Sequence, residues 1–442
     1  MEARTLVQSD PRSRPKPFSF RPPRRNRLVI ALCKRILPPA IRRKLKVTKI
    51  EVGDDDLAKL KSLRGKRCLL MPSHSGGFEP YIILHLSKLL GDDYNYLAAM
   101  EAFEKSPVSG WLMQRIGAYS IIRGTADRPS FQMTKQLLVE ARRWLVIFPE
   151  GQTVWQNDTV IPFQQGVVQL AFKAYETALK QDADASLHCV PVSIKYAYLE
   201  DMQSHRDASL ARLESKLFPS AGAPPTLPYE RLRRIGKAVL IANEKSHGVE
   251  PDEDASFDDR IQIMKEIVVR QIERKLELTP RADQSLLDRT RALFNAVDRI
   301  VHEEPRESEY EQKLADERQQ AARALYEDLW RVLQLVAIYD GYVRKSMSVE
   351  RFMDVLCLLE MEVLGQRRIW GPRKAMVKVG DSVDLRDHFP AYKTDKPGAV
   401  RKVTLAVESQ VREMLATLAD SARRSSVERF PIELGGDDSV WQ

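Results

Sequence analysis

The sequence predicts an α/β protein with a mostly parallel sheet and a C-terminal helical region, and three observations carry that prediction. Short apolar runs at 67–71, 95–100, 118–122, 144–148, 188–194 and 236–242 alternate with helical stretches near 80–90, 106–116, 129–142 and 165–180. Strands that alternate with helices imply βαβ units. Next, His74, Arg123 and Glu150 each fall just after an apolar strand run. That places all three beyond the carboxyl ends of the strands, where parallel sheets carry their chemistry. Finally, from about residue 256 the pattern turns to helical periodicity. At 442 residues the chain has room for two or three domains and an ample core.

Residues 1–27, rich in Pro and Arg and poor in apolar side chains, read as a disordered basic arm. Residues 28–50 mix apolar clusters with Lys and Arg, and Pro38-Pro39 is expected to split them into two short amphipathic helices. Such helices can lie in a membrane interface or pack on a domain with their basic face in water. Residues 1–50 hold 15 Lys and Arg against Glu2 and Asp10, a net of +13; the whole chain is +9, so 51–442 carry about −4. The basicity is confined to the N-terminus. That argues against a nucleic-acid-binding body and for an arm that meets an anionic surface.

Residues 51–280 contain the strand–helix alternation. The run 67–71 ends at Pro72-Ser73, and His74 follows in the loop Ser75-Gly76-Gly77. Glu79 stands five residues after His74, where Pro80 suits the first turn of a helix. A carboxylate there can fix the tautomer of the histidine and leave the other ring nitrogen to take a proton. Alone, the stretch reads equally well as a capping Glu beside a solvated His. Residues 201–234, with Pro224-Pro225, Pro228 and many charges, read as a long loop or lid. Residues 256–278 read as a helix. Residues 281–370 read as a helical bundle with Leu325, Leu329, Val332, Leu333 and Val336 on one face. Residues 371–420 read as a strand and helix that return to the α/β domain, echoing Ile235–Leu240 and the helix after it. Residues 421–442 read as a tail.

Four cysteines scattered in mostly apolar runs fit a reducing compartment without a disulfide framework. No CxxC pair points to zinc, and no metal is expected. No apolar run approaches the roughly 18 residues of a transmembrane helix, and the N-terminus lacks a signal-peptide pattern. The expected location is therefore cytoplasmic, peripheral on a membrane.

Four segments in order carry a resemblance: His74 to Glu79; Gly117-Ala118-Tyr119-Ser120-Ile121-Ile122-Arg123-Gly124; Phe148-Pro149-Glu150-Gly151; and Val190-Pro191-Val192. Together they resemble the four motifs of the glycerolipid acyltransferases, the family of lysophosphatidic acid acyltransferase, over roughly residues 60–200. The resemblance implies acyl transfer from a thioester, acyl-CoA or acyl-carrier protein, to the hydroxyl of lysophosphatidic acid or a related lysolipid, in phospholipid biosynthesis. It implies no further cofactor. His74 and Glu79 would be catalytic, and Arg123, Glu150 and Gly151 would bind the acceptor. Gly117, Pro149 and Pro191 would shape the site.

The chain departs from the family twice. Glu79 stands where Asp is usual, and Gln152-Thr153-Val154 stand where a small hydroxyl residue and then Arg are common. The second departure removes a phosphate ligand, for which Arg128 or Lys195 are candidate substitutes. Two other readings stay open: a different lysolipid or alcohol as acceptor, and a silent membrane-binding scaffold. His247 and Asp252 repeat the histidine–carboxylate spacing without the later motifs and read as chance.

Overall fold

The computed structural model describes residues 19–429 except 124, 126, 221, 253, 304–307 and 338–346. Most of the basic arm, the end of the tail and the side chain of Val336 therefore lie outside the described residues. Eight strands form one sheet: β1 (Val47–Val52), β2 (Arg67–Pro72), β3 (Asn95–Ala99), β4 (Ala118–Ile121), β5 (Leu145–Val146), β6 (Leu187–Tyr198), β7 (Arg373–Val379) and β8 (Val383–Asp384). Their order is β1-β7-β6-β2-β5-β3-β4, and β8 also pairs with β6. Strands β6, β2, β5, β3 and β4 run parallel, whereas β7 lies antiparallel to β6 and parallel to β1. The class is α/β with a mostly parallel sheet and a helical C-terminal region.

Helices cover both faces, and the period of two along β2 divides its side chains between them. Cys68 and Leu70 join a core with the helices Asp54–Ser62 and Glu79–Leu89. Leu69 and Met71 join the opposite core, with Phe172 and Tyr175 of the helix Gln165–Leu179 and Val403, Val407 and Val411 of the helix Lys396–Arg429. The C-terminal segment is thus part of the α/β layer: β7 inserts between β1 and β6, and Lys396–Arg429 closes a face.

A third core holds the helices Phe257–Lys275, Leu286–Val301 and Glu309–Ala337, with Met264, Val268, Val297, Leu325 and Leu329 buried. Val154 and Ile161, which follow Phe148-Pro149-Glu150-Gly151 in the chain, belong to the same core. The bundle is therefore anchored beside the carboxyl edge of the parallel strands.

Several elements differ from expectation. Residues 236–242 form no strand; they lie in the helix Pro228–Ser246, whose Tyr229, Leu232, Ile235 and Leu240 are buried. A short apolar run does not by itself distinguish strand from helix. The expected lid at 201–234 contains the helix Gln203–Leu217, whose Leu210 and Leu213 pack with Phe352 and Leu356 of the helix Val349–Leu364. Pro38-Pro39 do not split the N-terminal helix, which runs Arg27–Ala40 into a π-helical turn at Ile41–Leu45. The Ile41 N–H bonds to the Leu37 carbonyl and keeps the turn closed across the two rings. Residues 47–50, expected in a helix, open β1, where Val47, Thr48, Ile50 and Val52 suit a strand. Residues 19–26, expected in a disordered arm, lie along the edge of the sheet. The Ser120 N–H bonds to the Arg21 carbonyl (3.1 Å), the Asn26 N–H bonds to the Arg115 carbonyl (3.0 Å), and Arg25 pairs with Asp93 (2.9 Å).

Candidate active site

Strand β2 delivers its last residues to a loop held from both sides. The Ser73 N–H bonds to the Val192 carbonyl (2.9 Å) and Ser73 Oγ accepts from the Ile194 N–H (3.0 Å), which ties the loop to β6. The His74 N–H then bonds to Glu150 Oε1 at 2.6 Å, so its backbone cannot slide. Its ring nitrogen Nδ1 lies 2.8 Å from Oε2 of Glu79, the first residue of the helix Glu79–Leu89. Glu79 is fully buried, and its other oxygen accepts from the Gly76 N–H at 2.9 Å. Burial pushes the Glu79 carboxyl up. The His74 hydrogen bond and charge, with backbone N–H groups, outweigh this and hold it below the usual carboxylate range. The helix N-terminus also favours the anion. Phe148 braces the His74 ring, centroids 4.3 Å apart.

An ionised Glu79 on Nδ1 calls for the tautomer with the proton there, which leaves Nε2 as acceptor. Among the described residues Nε2 has no hydrogen-bond partner, and His74 lines a cavity of about 2540 Å³. The expected histidine–carboxylate pair is thus assembled with its basic nitrogen free. His247, the other histidine with that spacing, instead faces Gln271.

Glu150 has a different place from the one the resemblance implies. It is fully buried, with one oxygen on the His74 N–H and the other on the Ile161 N–H (3.0 Å). Burial pushes its carboxyl up to about 7, against the pull of the two N–H donors. Its geometry is that of a clamp joining the His74 loop to the segment after Gly151, out of reach of a ligand. Gly151 does line the cavity. It sits at φ +74, a backbone conformation that favours glycine. Pro149 lines the cavity and its carbonyl accepts from the Gln164 N–H (2.8 Å). Pro191 lies inside β6 opposite Met71, and Gly117, at φ +98 and where a Cβ would stand 2.9 Å from the Tyr94 carbonyl oxygen, sets up β4.

Arg123 follows β4 and lines the same cavity, yet its charge is already matched. Its guanidinium lies 3.1 Å from Glu101 and 3.6 Å from Asp298, a buried residue of the bundle helix Leu286–Val301. Tyr326 donates to Asp298 as well. Burial pushes the Asp298 carboxyl up to about 6 despite Arg123, and burial pushes His302 beside it down to about 4. Glu101, Asp298 and His302 have the spacing of a metal-ligand set. Arg123 already supplies the positive charge among them, which disfavours a second cation there. This cluster joins the sheet to the bundle, and no sequence signal linked residues so far apart.

Neither expected substitute for the absent arginine reaches the cavity wall. Lys195 is buried in an ion pair with Asp158, and Arg128 is exposed at the start of the helix Arg128–Glu140. A cation that sequence reasoning missed does line it: Arg367, whose guanidinium stacks 3.3 Å from the centre of the Trp155 ring.

The cavity wall continues past the sheet edge onto two helices that expose apolar side chains. Leu32 and Ile36 of Arg27–Ala40, and Trp111 of Pro107–Arg115, line the cavity while each keeps about half its surface exposed. Residues 49–195, from β1 through most of β6, match the family model described as Acyltransferase. No curated protein matches the chain.

Proposed function

With residues 49–195 forming a domain of the PlsC-type glycerolipid acyltransferase family, we propose that this acyltransferase moves a fatty acyl group from acyl-CoA or acyl-carrier protein to the free hydroxyl of lysophosphatidic acid. The observation that carries the reading is the His74–Glu79 pair, with its Nε2 open to a large, mainly apolar cavity. The acceptor hydroxyl gives its proton to Nε2 as its oxygen bonds to the thioester carbonyl carbon. Glu79 stabilises the imidazolium that forms. Collapse of the tetrahedral intermediate breaks the C–S bond, and the imidazolium returns the proton to the leaving thiolate. Of the described cysteines that line the cavity, burial pushes the Cys33 thiol up and the Cys357 thiol up to about 12, so neither is activated. Direct attack therefore fits better than an acyl-enzyme.

The lipid enters from a membrane surface. Leu28, Leu32 and Ile36 recur every four residues along one side of the N-terminal helix, and Val108 and Trp111 stand exposed on the adjacent one. An apolar stripe of this kind beside basic residues inserts into an anionic interface. The contact proposed is peripheral; no helix among the described residues is long and apolar enough to cross a membrane.

The test is an assay of purified protein against lysophosphatidic acid, other lysophospholipids and monoacylglycerol, each with acyl-CoA and with acyl-carrier protein. Transfer to lysophosphatidic acid above the other acceptors is expected. Transfer only to a larger head group or a neutral alcohol overturns the acceptor, and no transfer to any acceptor overturns the enzymatic reading.

A further inference from the structure

Six cationic side chains line the cavity: Lys105, Arg123, Lys173, Arg323, Arg331 and Arg367. Arg123 is matched by Glu101 and Asp298, and Arg331 by Asp328 and Glu362. Lys105 and Lys173 are exposed, and Arg323 lies beside the His302 cluster. Arg367 differs from all of these. Among the described residues its guanidinium makes no hydrogen bond and no ion pair, although it is close enough to Glu79 to feel its charge. The nearest acids offer little compensation. Glu79 is occupied by His74, and burial pushes the Asp354 carboxyl up to about 7 while it accepts from the Asn157 N–H.

The support of Arg367 is built in three layers. Gly365 caps the helix Val349–Leu364, and Arg367 follows in the link to β7. Its guanidinium lies flat on Trp155. Trp155 meets Phe78 edge to face, centroids 6.0 Å apart, and its Cη2 comes within 3.0 Å of where a Cβ on Gly77 would stand. The tryptophan is thus wedged between the histidine loop and the arginine. A stacked guanidinium keeps its N–H edge for planar, bidentate recognition of phosphate or carboxylate.

We propose that Arg367 binds the anionic headgroup of the acceptor, a phosphate monoester, with Trp155 as the platform that aims it beside His74. The inference rests on the acyl-transfer reading. It assigns to the C-terminal segment, outside the matched domain, the ligand for which Gln152-Thr153-Val154 offer no cation. Burial lowers the Arg367 pKa to about 10, which leaves it charged at neutral pH in partly desolvated surroundings, where a phosphate contact gains strength.

The experiment compares wild type, Arg367→Gln and Arg367→Lys with lysophosphatidic acid and with monoacylglycerol as acceptors. Arg367→Gln should raise the KM for lysophosphatidic acid about 10- to 100-fold, the worth of one or two charged hydrogen bonds. The KM values for monoacylglycerol and acyl-CoA should stay within about threefold, less than one such bond is worth. Arg367→Lys should recover part of the loss. Equal rises for both acceptors, or a selective rise for acyl-CoA, overturn the proposal, the latter by placing Arg367 on the donor's phosphates. Calorimetric binding of the two lipids to His74→Ala protein, with and without Arg367→Gln, needs no turnover. A preference for lysophosphatidic acid that vanishes with Arg367 supports the site even if no acyl transfer is found; a preference that persists overturns it.

Discussion

Two clusters of histidine and carboxylate flank one cavity, which His74 of the first and Arg123 of the second line, and only the first is arranged for chemistry. At His74 the carboxylate is sealed, the ring nitrogen Nδ1 is taken and Nε2 is left open. At His302 a cation, Arg123, lies between Glu101 and Asp298 and pairs with both. The difference lies in what each cluster offers: His74 presents one ring nitrogen to the cavity, whereas the Arg123 cation is committed to carboxylates from two separate elements.

The largest effect is expected at the base. His74→Ala should lower acyl transfer by about 10²–10⁴-fold with the fold intact, read as kcat beside the thermal midpoint. Near-wild-type turnover of the folded variant would move the chemistry elsewhere in the cavity. Glu79→Gln should cost on the order of 10²-fold, because a neutral amide supports imidazolium poorly and frees the wrong tautomer. Glu79→Asp should keep more activity than Glu79→Gln; the reverse order would show that length, not charge, matters at this position.

The second cluster should answer in stability. Arg123→Ala leaves two carboxylates without their cation, one of them buried, and should cost about 2–3 kcal/mol by chemical denaturation. Its ratio of KM values for lysophosphatidic acid and monoacylglycerol should not change. An unchanged unfolding midpoint with a selective loss for the phosphorylated acceptor would return Arg123 to headgroup binding.

The smallest effect separates the clusters by sign. Asp298 is raised from its ordinary value of 3.8 to about 6, so the native state binds the extra proton and its contribution to stability is lost as pH rises from about 4 to about 6. Glu79 is lowered from 4.5, so its contribution is present above that value and lost as pH falls below it. Unfolding free energies of Asp298→Asn and Glu79→Gln relative to wild type should therefore slope in opposite directions across acidic pH. Parallel slopes would show that the two carboxyls share one environment.

The catalytic edge was legible because it is local. His74, Glu79 and the strand before them lie within a dozen residues, and a parallel sheet brings the ends of β2, β4 and β5 to one side whatever the loops do. Roles that depend on distant partners were not legible. Arg123 reads as a free cation until Asp298 arrives from the bundle, and Glu150 reads as a ligand contact until Ile161 and the His74 backbone are seen on its oxygens. Arg367 has no motif around it, and its role comes only from Trp155. The strand expected at 236–242 failed for a related reason: its apolar run is too short to fix a period, and burial against the bundle decided for helix.

The claim on which the rest depends is that Glu79 holds His74 with its proton on Nδ1 and leaves Nε2 to accept one. Nitrogen NMR of the histidine side chains in the full chain reads this directly, with the His74 signals assigned by loss in His74→Ala. In the neutral ring of His74 the proton should sit on Nδ1, with a strongly downfield signal that vanishes in Glu79→Gln, and Nε2 should be unprotonated. A protonated Nε2 on a neutral ring, or a Nδ1 proton indifferent to Glu79, would contradict the account.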